Sequence, residues 1–272
     1  MPATPAWPPK SAPRLFVRQV LAEGAQVNIE GPQAHYLGRV MRIGPGDAVV
    51  LCDNVTGEWA ARAIEAGKRD VLLSVESLLR PREAVPDFTL CAALLKKDRF
   101  DLVLEKACEL GVARIQPVLT RRCVADKLNL ERATTILTEA AEQCARTALP
   151  ELLAPVKLEA LLKDWDSGRT LFFADENGGD PAGPAFAEAA PPRRRGPQAG
   201  ESGLTAQDPR LRGESPCAAL LTGPEGGFDE AERAAIRALP AARAITLGPR
   251  ILRGETAAIA ATALWMGTVG DW

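Results

Sequence analysis

Two short runs hold the residue types best suited to chemistry on a bound ligand. The first is Leu220-Leu221-Thr222-Gly223-Pro224-Glu225-Gly226-Gly227-Phe228, and the second is Leu247-Gly248-Pro249-Arg250-Ile251-Leu252-Arg253-Gly254-Glu255-Thr256. Glycine lets backbone N–H and C=O groups approach a ligand with no Cβ between them. Each run leaves an apolar stretch that reads as a buried strand (Cys217 to Leu221, Arg243 to Leu247) and enters a helix. Asp229 with Glu232 makes a capping box for the first helix, and an apolar helix is expected from about Glu255 to Met266. In open α/β sheets, ligands sit outside the carboxyl ends of the strands. Two such runs on sequential strands can line one backbone-walled pocket for a purine-sized ligand. Glycine content alone points no further than tight turns.

Other chemistries are poorly supplied. There is no G-x-x-x-x-G-K-[ST], no G-x-G-x-x-G after a strand and no G-x-S-x-G elbow. The single histidine, His35, lies in the β-rich amino-terminal part, so a Ser-His-Asp triad or a histidine metal site would have to reach across domains. His35 reads as a surface or packing residue. The six cysteines, at 52, 91, 108, 123, 144 and 217, show neither zinc-site spacing nor a disulfide framework. No metal is expected. Cysteines isolated in apolar stretches behave as small core residues in a reducing compartment, which implies a cytoplasmic location. No apolar run approaches the ~18–20 residues of a membrane span. A formal charge of −2 gives no bulk basic excess, so any nucleic-acid contact must rest on local patches.

The elements that position the two runs fall into two domains. Residues 1–13, with four prolines in the first nine, carry no apolar signal core and are expected to be a flexible leader. From 14 to 84, short period-two segments (Arg14–Arg18, Ala25–Glu30, Ala48–Cys52, Trp59–Ile64, Val71–Glu76) alternate with turns such as Gly44-Pro45-Gly46-Asp47, the pattern of a small barrel. Between them His35–Arg42 is expected to form one short helix with Leu37, Val40 and Met41 on one side. Beyond Pro86 strands and helices alternate, the signature of an α/β domain with a mainly parallel sheet over 85–272. Phe100, Val103, Leu104, Ala107 and Leu110 make a helical stripe that Gly111 stops. Asn129 is expected to cap a helix whose apolar face runs from Leu130 through Ala133, Ile136, Leu137, Ala140 and Ala141 to Cys144. Residues 178–216, rich in proline and glycine and lacking periodicity, are expected to be a disordered insert. Its Arg193-Arg194-Arg195 run suits a solvated linker or an RNA contact.

The order of residues in the two glycine runs resembles the RsmE-type 16S rRNA uridine methyltransferases of the SPOUT superfamily. Lys96-Lys97-Asp98-Arg99-Phe100, Glu105-Lys106-Ala107-x-Glu109-Leu110-Gly111, Glu142-Gln143-Cys144-x-Arg146 and His35-x-x-x-Arg39-Val40-Met41-Arg42 also match that family's pattern. The likeness covers residues 14 to 272 apart from the proline-rich insert. It implies a PUA-like RNA-binding β-barrel followed by a trefoil-knotted SPOUT domain, a homodimer, and S-adenosylmethionine as cofactor. The implied reaction is methylation of nitrogen three of a uridine in small-subunit ribosomal RNA, within an assembled subunit. Other outcomes compatible with the residues are a SPOUT methyltransferase acting on another rRNA or tRNA site, and a non-catalytic RNA-binding module.

On this resemblance the cofactor pocket is assigned to Leu221, Thr222, Gly223, Pro224, Glu225, Gly226, Gly227, Leu247, Gly248, Ile251, Leu252, Arg253 and Thr256, with Leu221, Ile251 and Leu252 flanking the adenine. Arg146 and Arg253 are assigned to the uracil oxygens or a neighbouring phosphate; Arg146, one turn beyond Glu142, also suits a surface helix pair. Glu225 and Glu255 are proton acceptors or else carboxylates favoured at a helix start, the second role being the better fit for Glu255. RNA contacts are assigned to Arg14, Arg18, Arg39 and Arg42 on the barrel and to Lys96, Lys97, Arg99, Arg121 and Arg122 on the larger domain. With 5% aromatic residues and one tyrosine, an extended base-stacking platform is not expected, and recognition by shape fits better.

Overall fold

A computed structural model describes residues 7–189 and 217–272. The chain divides into two units: residues up to 84 together with 138–149, and residues 85–137 together with 150–272.

The first unit is a curled sheet of β1 (Arg14–Phe16), β2 (Gln26–Glu30), β3 (Ala48–Cys52), β4 (Gly57–Ala66) and β5 (Asp70–Pro81), in the order β1-β3-β4-β5-β2. All pairs are antiparallel except β1 with β3. Period-two alternation puts Val27 and Ile29, Val49 and Leu51, Ala61 and Ala63, and Val71, Leu73 and Val75 into one buried cluster with Leu15, Leu21 and Leu37. Three register shifts along the β4–β5 ladder bend these long strands around that cluster. A loop knot at Asp53 follows β3. Its carboxylate accepts from the backbone N–H groups of Leu21 (2.6 Å), Val55 (2.8 Å) and Thr56 and from the Thr56 hydroxyl (2.7 Å). Buried Glu58 joins Arg14 (Nε, 2.6 Å) and Arg80 (Nε, 2.5 Å) across strands.

The expected helix at His35–Arg42 is split. Helix α1 (Gly31–His35) passes into a π-helical turn at Tyr36–Val40. Leu37 is buried as expected, but the wider turn swings Val40 out to 62% exposure. The leader is a second correction. Its described part is held rather than free: the Trp7 ring lies under the Arg62 guanidinium, and its indole N–H donates to Glu76 at 2.6 Å.

The second unit is built on a parallel sheet of β6 (Phe88–Ala93), β7 (Arg114–Leu119), β8 (Glu151–Leu152), β9 (Val156–Lys157), β10 (Thr170–Ala174), β11 (Asp180–Pro181), β12 (Ala218–Thr222) and β13 (Ala242–Thr246). The order is β11-β13-β10-β12-β6-β7-β8, with β9 also on β7. Strands β6 and β12 are buried at every position because helices cover both faces. Helix α2 (Lys97–Glu109), α5 (Ala182–Ala189) and α7 (Gly254–Thr268) pack together on one face, where Trp265 stacks on Phe88 with centroids 4.1 Å apart. Helices α4 (Leu158–Lys163) and α6 (Glu230–Ala238) pack on the other, over Cys91, Leu171, Phe173 and Leu221. Helix α3 (Leu130–Cys144) is capped by Asn129, whose side-chain oxygen accepts from the Arg132 N–H at 3.0 Å. Its apolar stripe is shorter than expected, since Leu130 and Cys144 at its ends are exposed.

Part of the expected insert is ordered. Residues 180–189 form β11 and α5, and Ala182, Ala185 and Phe186 are buried, Phe186 edge-on to Phe172 at 4.9 Å. Three small or aromatic residues in one short stretch bury enough surface to anchor it, a signal that the surrounding prolines and glycines obscured. Arg193–Arg195 and the rest of 190–216 lie outside the described residues.

Candidate active site

Because β10, β12 and β13 run parallel and adjacent, the loops that follow them leave the sheet at one edge. These loops enclose a cavity of about 130 Å³. The first wall is Gly223, Pro224, Gly227 and Phe228, the second is Ile245 to Leu252 with Gly254 and Ala257, and the third is Ala174, Asp175 and Glu176. A larger cavity, about 310 Å³, opens toward the amino ends of the strands between Thr89, Gln116, Leu161 and Trp165, and no glycine loop lines it.

The glycines are required by space as well as by curvature. Gly227 sits at φ +65° in a turn closed by its own N–H on the Pro224 carbonyl (3.0 Å), and a Cβ there would meet the Glu176 carboxylate at 2.5 Å. A Cβ on Gly254 would lie 2.8 Å from Leu95 and 3.1 Å from the Gly223 carbonyl oxygen, so the second run lies directly against the first. Gly248 has φ +103°. Among the described residues, the N–H groups of Gly248, Arg250, Ile251 and Leu252 make no backbone hydrogen bond. Such donors need water or a ligand. Ile251 is 87% exposed at the mouth, an apolar side chain set where a flat apolar ring can cover it.

Seven of the residues assigned to the cofactor line this cavity: Gly223, Pro224, Gly227, Leu247, Gly248, Ile251 and Leu252. Leu221 and Thr222 do not; they are buried in β12, with Leu221 in the core under α4 and α6. Glu225 and Gly226 turn away from it, Glu225 accepting from the Lys96 N–H (3.4 Å) and the Gly226 carbonyl from Arg122 (2.8 Å). Arg253 is the exposed N-cap of α7, and Thr256 is exposed in its first turn.

The third wall was missed by sequence reading. Thr170–Ala174 is recognisable as a strand, and the rule that places ligands at carboxyl ends applies to it equally. Asp175 is buried and tightly held: its carboxylate accepts from the Asn177 N–H (3.0 Å), Arg233 Nε (3.0 Å) and Arg237 Nη2 (2.7 Å). Burial pushes its pKa up, but these donors outweigh burial and hold the carboxyl below the ordinary aspartate value. Arg233 Nη2 reaches Glu176 Oε1 at 3.2 Å.

Other assigned residues hold contacts of their own. Arg146 belongs to the first unit. Helix α3 ends at Cys144 and Ala145 takes φ +62°, so Arg146 leaves the helix and is buried (5% exposed), its Nε 3.5 Å from Glu83. Glu142 accepts from the Phe16 N–H at 2.8 Å. Glu255 is bound to Arg99 at 3.2 Å in the first turn of α7. Arg14 is committed to Glu58, Arg121 to Asp229 and Glu159, and Arg122 to Gly226. Arg18, Arg39, Arg42, Lys96 and Lys97 are exposed, and none enters an ion pair among the described residues.

Residues 82–266 match the family described as RNA methyltransferase domain, and residues 29–76 match the RNA methyltransferase PUA domain. The chain belongs to the RNA methyltransferase family, with a parallel-sheet α/β methyltransferase unit and a PUA-like unit. Among its relatives is the Ribosomal RNA small subunit methyltransferase E of Synechocystis, 31% identical, the match covering 92% of this chain and 76% of the relative. That of Rickettsia conorii is 27% identical, covering 92% and 93%. The crystal structure of the Ribosomal RNA small subunit methyltransferase E from Neisseria gonorrhoeae, bound to S-adenosyl methionine, superposes with a TM-score of 0.77 at 27% identity, covering 96% of this chain and 99% of that one.

Proposed function

We propose that this protein methylates nitrogen three of a uridine in small-subunit ribosomal RNA, with S-adenosylmethionine as donor. The observation that carries the reading is the cavity walled by residues 223–228 and 245–254, with unpaired backbone donors and an uncovered Ile251. An adenosine ring needs edge donors and acceptors from backbone and apolar contacts on its faces, and both are present. When bound, the donor supplies an activated methyl group, so no metal is needed.

The chain's own part is placement and charge. Loops 223–228 and 247–252 fix the donor against the sheet edge, and positioning of this kind can supply ~7–11 kcal/mol of a barrier. The uracil imide becomes a nucleophile only as its proton leaves, so a cation beside its oxygens lowers the barrier further, by ~3–4 kcal/mol for one preorganised donor. Arg253, exposed at the N-cap of α7 next to the cavity, is assigned that role. Exposed Arg18, Arg39 and Arg42 in the first unit, with Lys96 and Lys97 in the second, are assigned to RNA phosphates, which position a substrate without reading its sequence. We assign 14–84 to RNA binding and 85–272 to methyl transfer, with the threading implied by the resemblance supported by the close approach of Gly254 to Gly223. A homodimer acting on an assembled small subunit completes the reading; exposed Leu264 and Trp272 give the second unit apolar surface to bury.

Mass-spectrometric mapping of methylated nucleotides in a deletion strain tests this. One uridine-N3 methyl group in small-subunit RNA should disappear and return with the wild-type gene but not with Arg253→Ala. Loss of a methyl group from another rRNA or tRNA position, or no loss at all, would overturn the assignment.

A further inference from the structure

The third wall of the cavity is charged. Glu176 stands two residues past the end of β10, faces the cavity and keeps 40% side-chain exposure. Its Oε1 is fixed by Arg233 Nη2 at 3.2 Å, which leaves Oε2 directed by the same contact and without an ion-pair partner of its own among the described residues. Arg233 is in turn fixed by buried Asp175, which Arg237 also holds. Gly227 completes the seat, since any Cβ there would strike both Glu176 oxygens, at 2.5 and 2.8 Å.

A carboxylate is an acceptor only, so what it binds must donate. The methyl donor offers two kinds of donor, the ribose hydroxyls and the ammonium of its amino-acid end. Three carboxylates (Asp175, Glu176 and Glu230, the last 3.8 Å from Arg233) meet three guanidiniums (Arg233, Arg237 and Arg250 on the cavity wall), so the local charge balances and a cationic ligand gains little there. Neutral hydroxyls gain directed hydrogen bonds to a pre-oriented oxygen. An acidic side chain just beyond a strand end fills the same role for ribose in other nucleotide-binding α/β sheets.

We propose that Glu176 binds the ribose hydroxyls of the methyl donor, seated by Arg233 and by the missing side chain of Gly227. The proposal rests on the S-adenosylmethionine reading above and adds to it a sugar-recognising residue.

Calorimetric titration tests it with two ligands, S-adenosylhomocysteine and 5′-methylthioadenosine, which lacks the amino-acid end. Glu176→Ala should weaken both by the same factor, about tenfold, the loss of one hydrogen bond to a charged, partly exposed acceptor. Glu176→Gln, which keeps one acceptor and the shape, should lose less, and circular dichroism should show both variants folded. A 2′,3′-dideoxy form of 5′-methylthioadenosine should bind wild type and Glu176→Ala alike. If Glu176→Ala weakens S-adenosylhomocysteine alone, the carboxylate reads the ammonium and the proposal is wrong. If neither ligand is weakened, Glu176 is not a ligand residue. Failure of the wild type to bind S-adenosylhomocysteine at all would remove the cofactor reading and this proposal with it.

Discussion

Replacing Asp175 by asparagine should destabilise the second unit by about 2 kcal/mol at pH 7. The carboxylate makes three hydrogen bonds, to the Asn177 N–H and to two guanidiniums, at 2.7–3.0 Å. A hydrogen bond to a charged group is worth ~1.5–3 kcal/mol against ~0.5–1.5 for a neutral one, so neutralising the acceptor loses ~1 kcal/mol per bond. Arg237 is 48% exposed and its share is screened, which brings the sum from about 3 to about 2 kcal/mol. With a urea m-value of ~1–3 kcal/mol/M, the midpoint should fall by roughly 1 M. The pH dependence follows from the depressed pKa of Asp175. A folded-state value below the unfolded one, ~3.9, gives stability that is fully present above about pH 4 and is lost as the pH falls through the folded value. The gap between wild type and Asp175→Asn should therefore be full at pH 7 and narrow below pH 4. Urea titrations read through the fluorescence of Trp165 and Trp265 measure both. An equal midpoint at pH 7, or a gap that persists undiminished in acid, would refute the claim that Asp175 acts as a buried anion.

Glu58→Gln should cost the first unit about 2 kcal/mol in a thermal melt, less than the ~3–5 kcal/mol of a fully buried pair because Arg14 and Arg80 are 25% and 48% exposed. Burial raises the Glu58 pKa but its arginines lower it further, so this contribution too should vanish only in acid. Trp265→Ala should cost ~3–5 kcal/mol in denaturant, since the ring is fully buried on Phe88. Trp265→Phe should cost far less, because the indole N–H it deletes has no acceptor among the described residues. A thiol reagent at pH 8, followed by peptide mapping, should label exposed Cys144 first and Cys217 more slowly, as hydrogen bonding to Asp87 raises the Cys217 thiol. Cys52 and Cys91, whose buried thiols are pushed up to about 12, should stay unlabelled until the protein unfolds.

The elements that were legible in the sequence are those whose local signals and tertiary burial agree. The stripe from Phe100 to Ala107 is buried as α2, Gly111 stops it at φ +88°, and Asp229 and Glu232 make the capping box expected of them. Both glycine runs meet at one cavity because their strands are parallel neighbours of β10. What was not legible depends on partners distant in sequence. Nothing near Arg146 announces Glu83, and nothing near Glu255 announces Arg99, because each pair joins residues far apart in the chain. Asp175 and Glu176 were passed over because their arginines lie in α6, some 60 residues on. Val40 was misjudged because periodicity assumes 3.6 residues per turn, and the π-helical turn does not keep it.

The three walls of the cavity are made at different times. Residues 174–176 leave the ribosome first, residues 223–228 follow, and 245–257 come last. At ~5–20 residues per second, the nascent chain spends several seconds with the sheet edge half assembled and no closed seat for an adenosine. Binding capacity thus arrives late in translation, and a product cut short before residue 245 would be expected to retain much of its sheet while being unable to hold a donor.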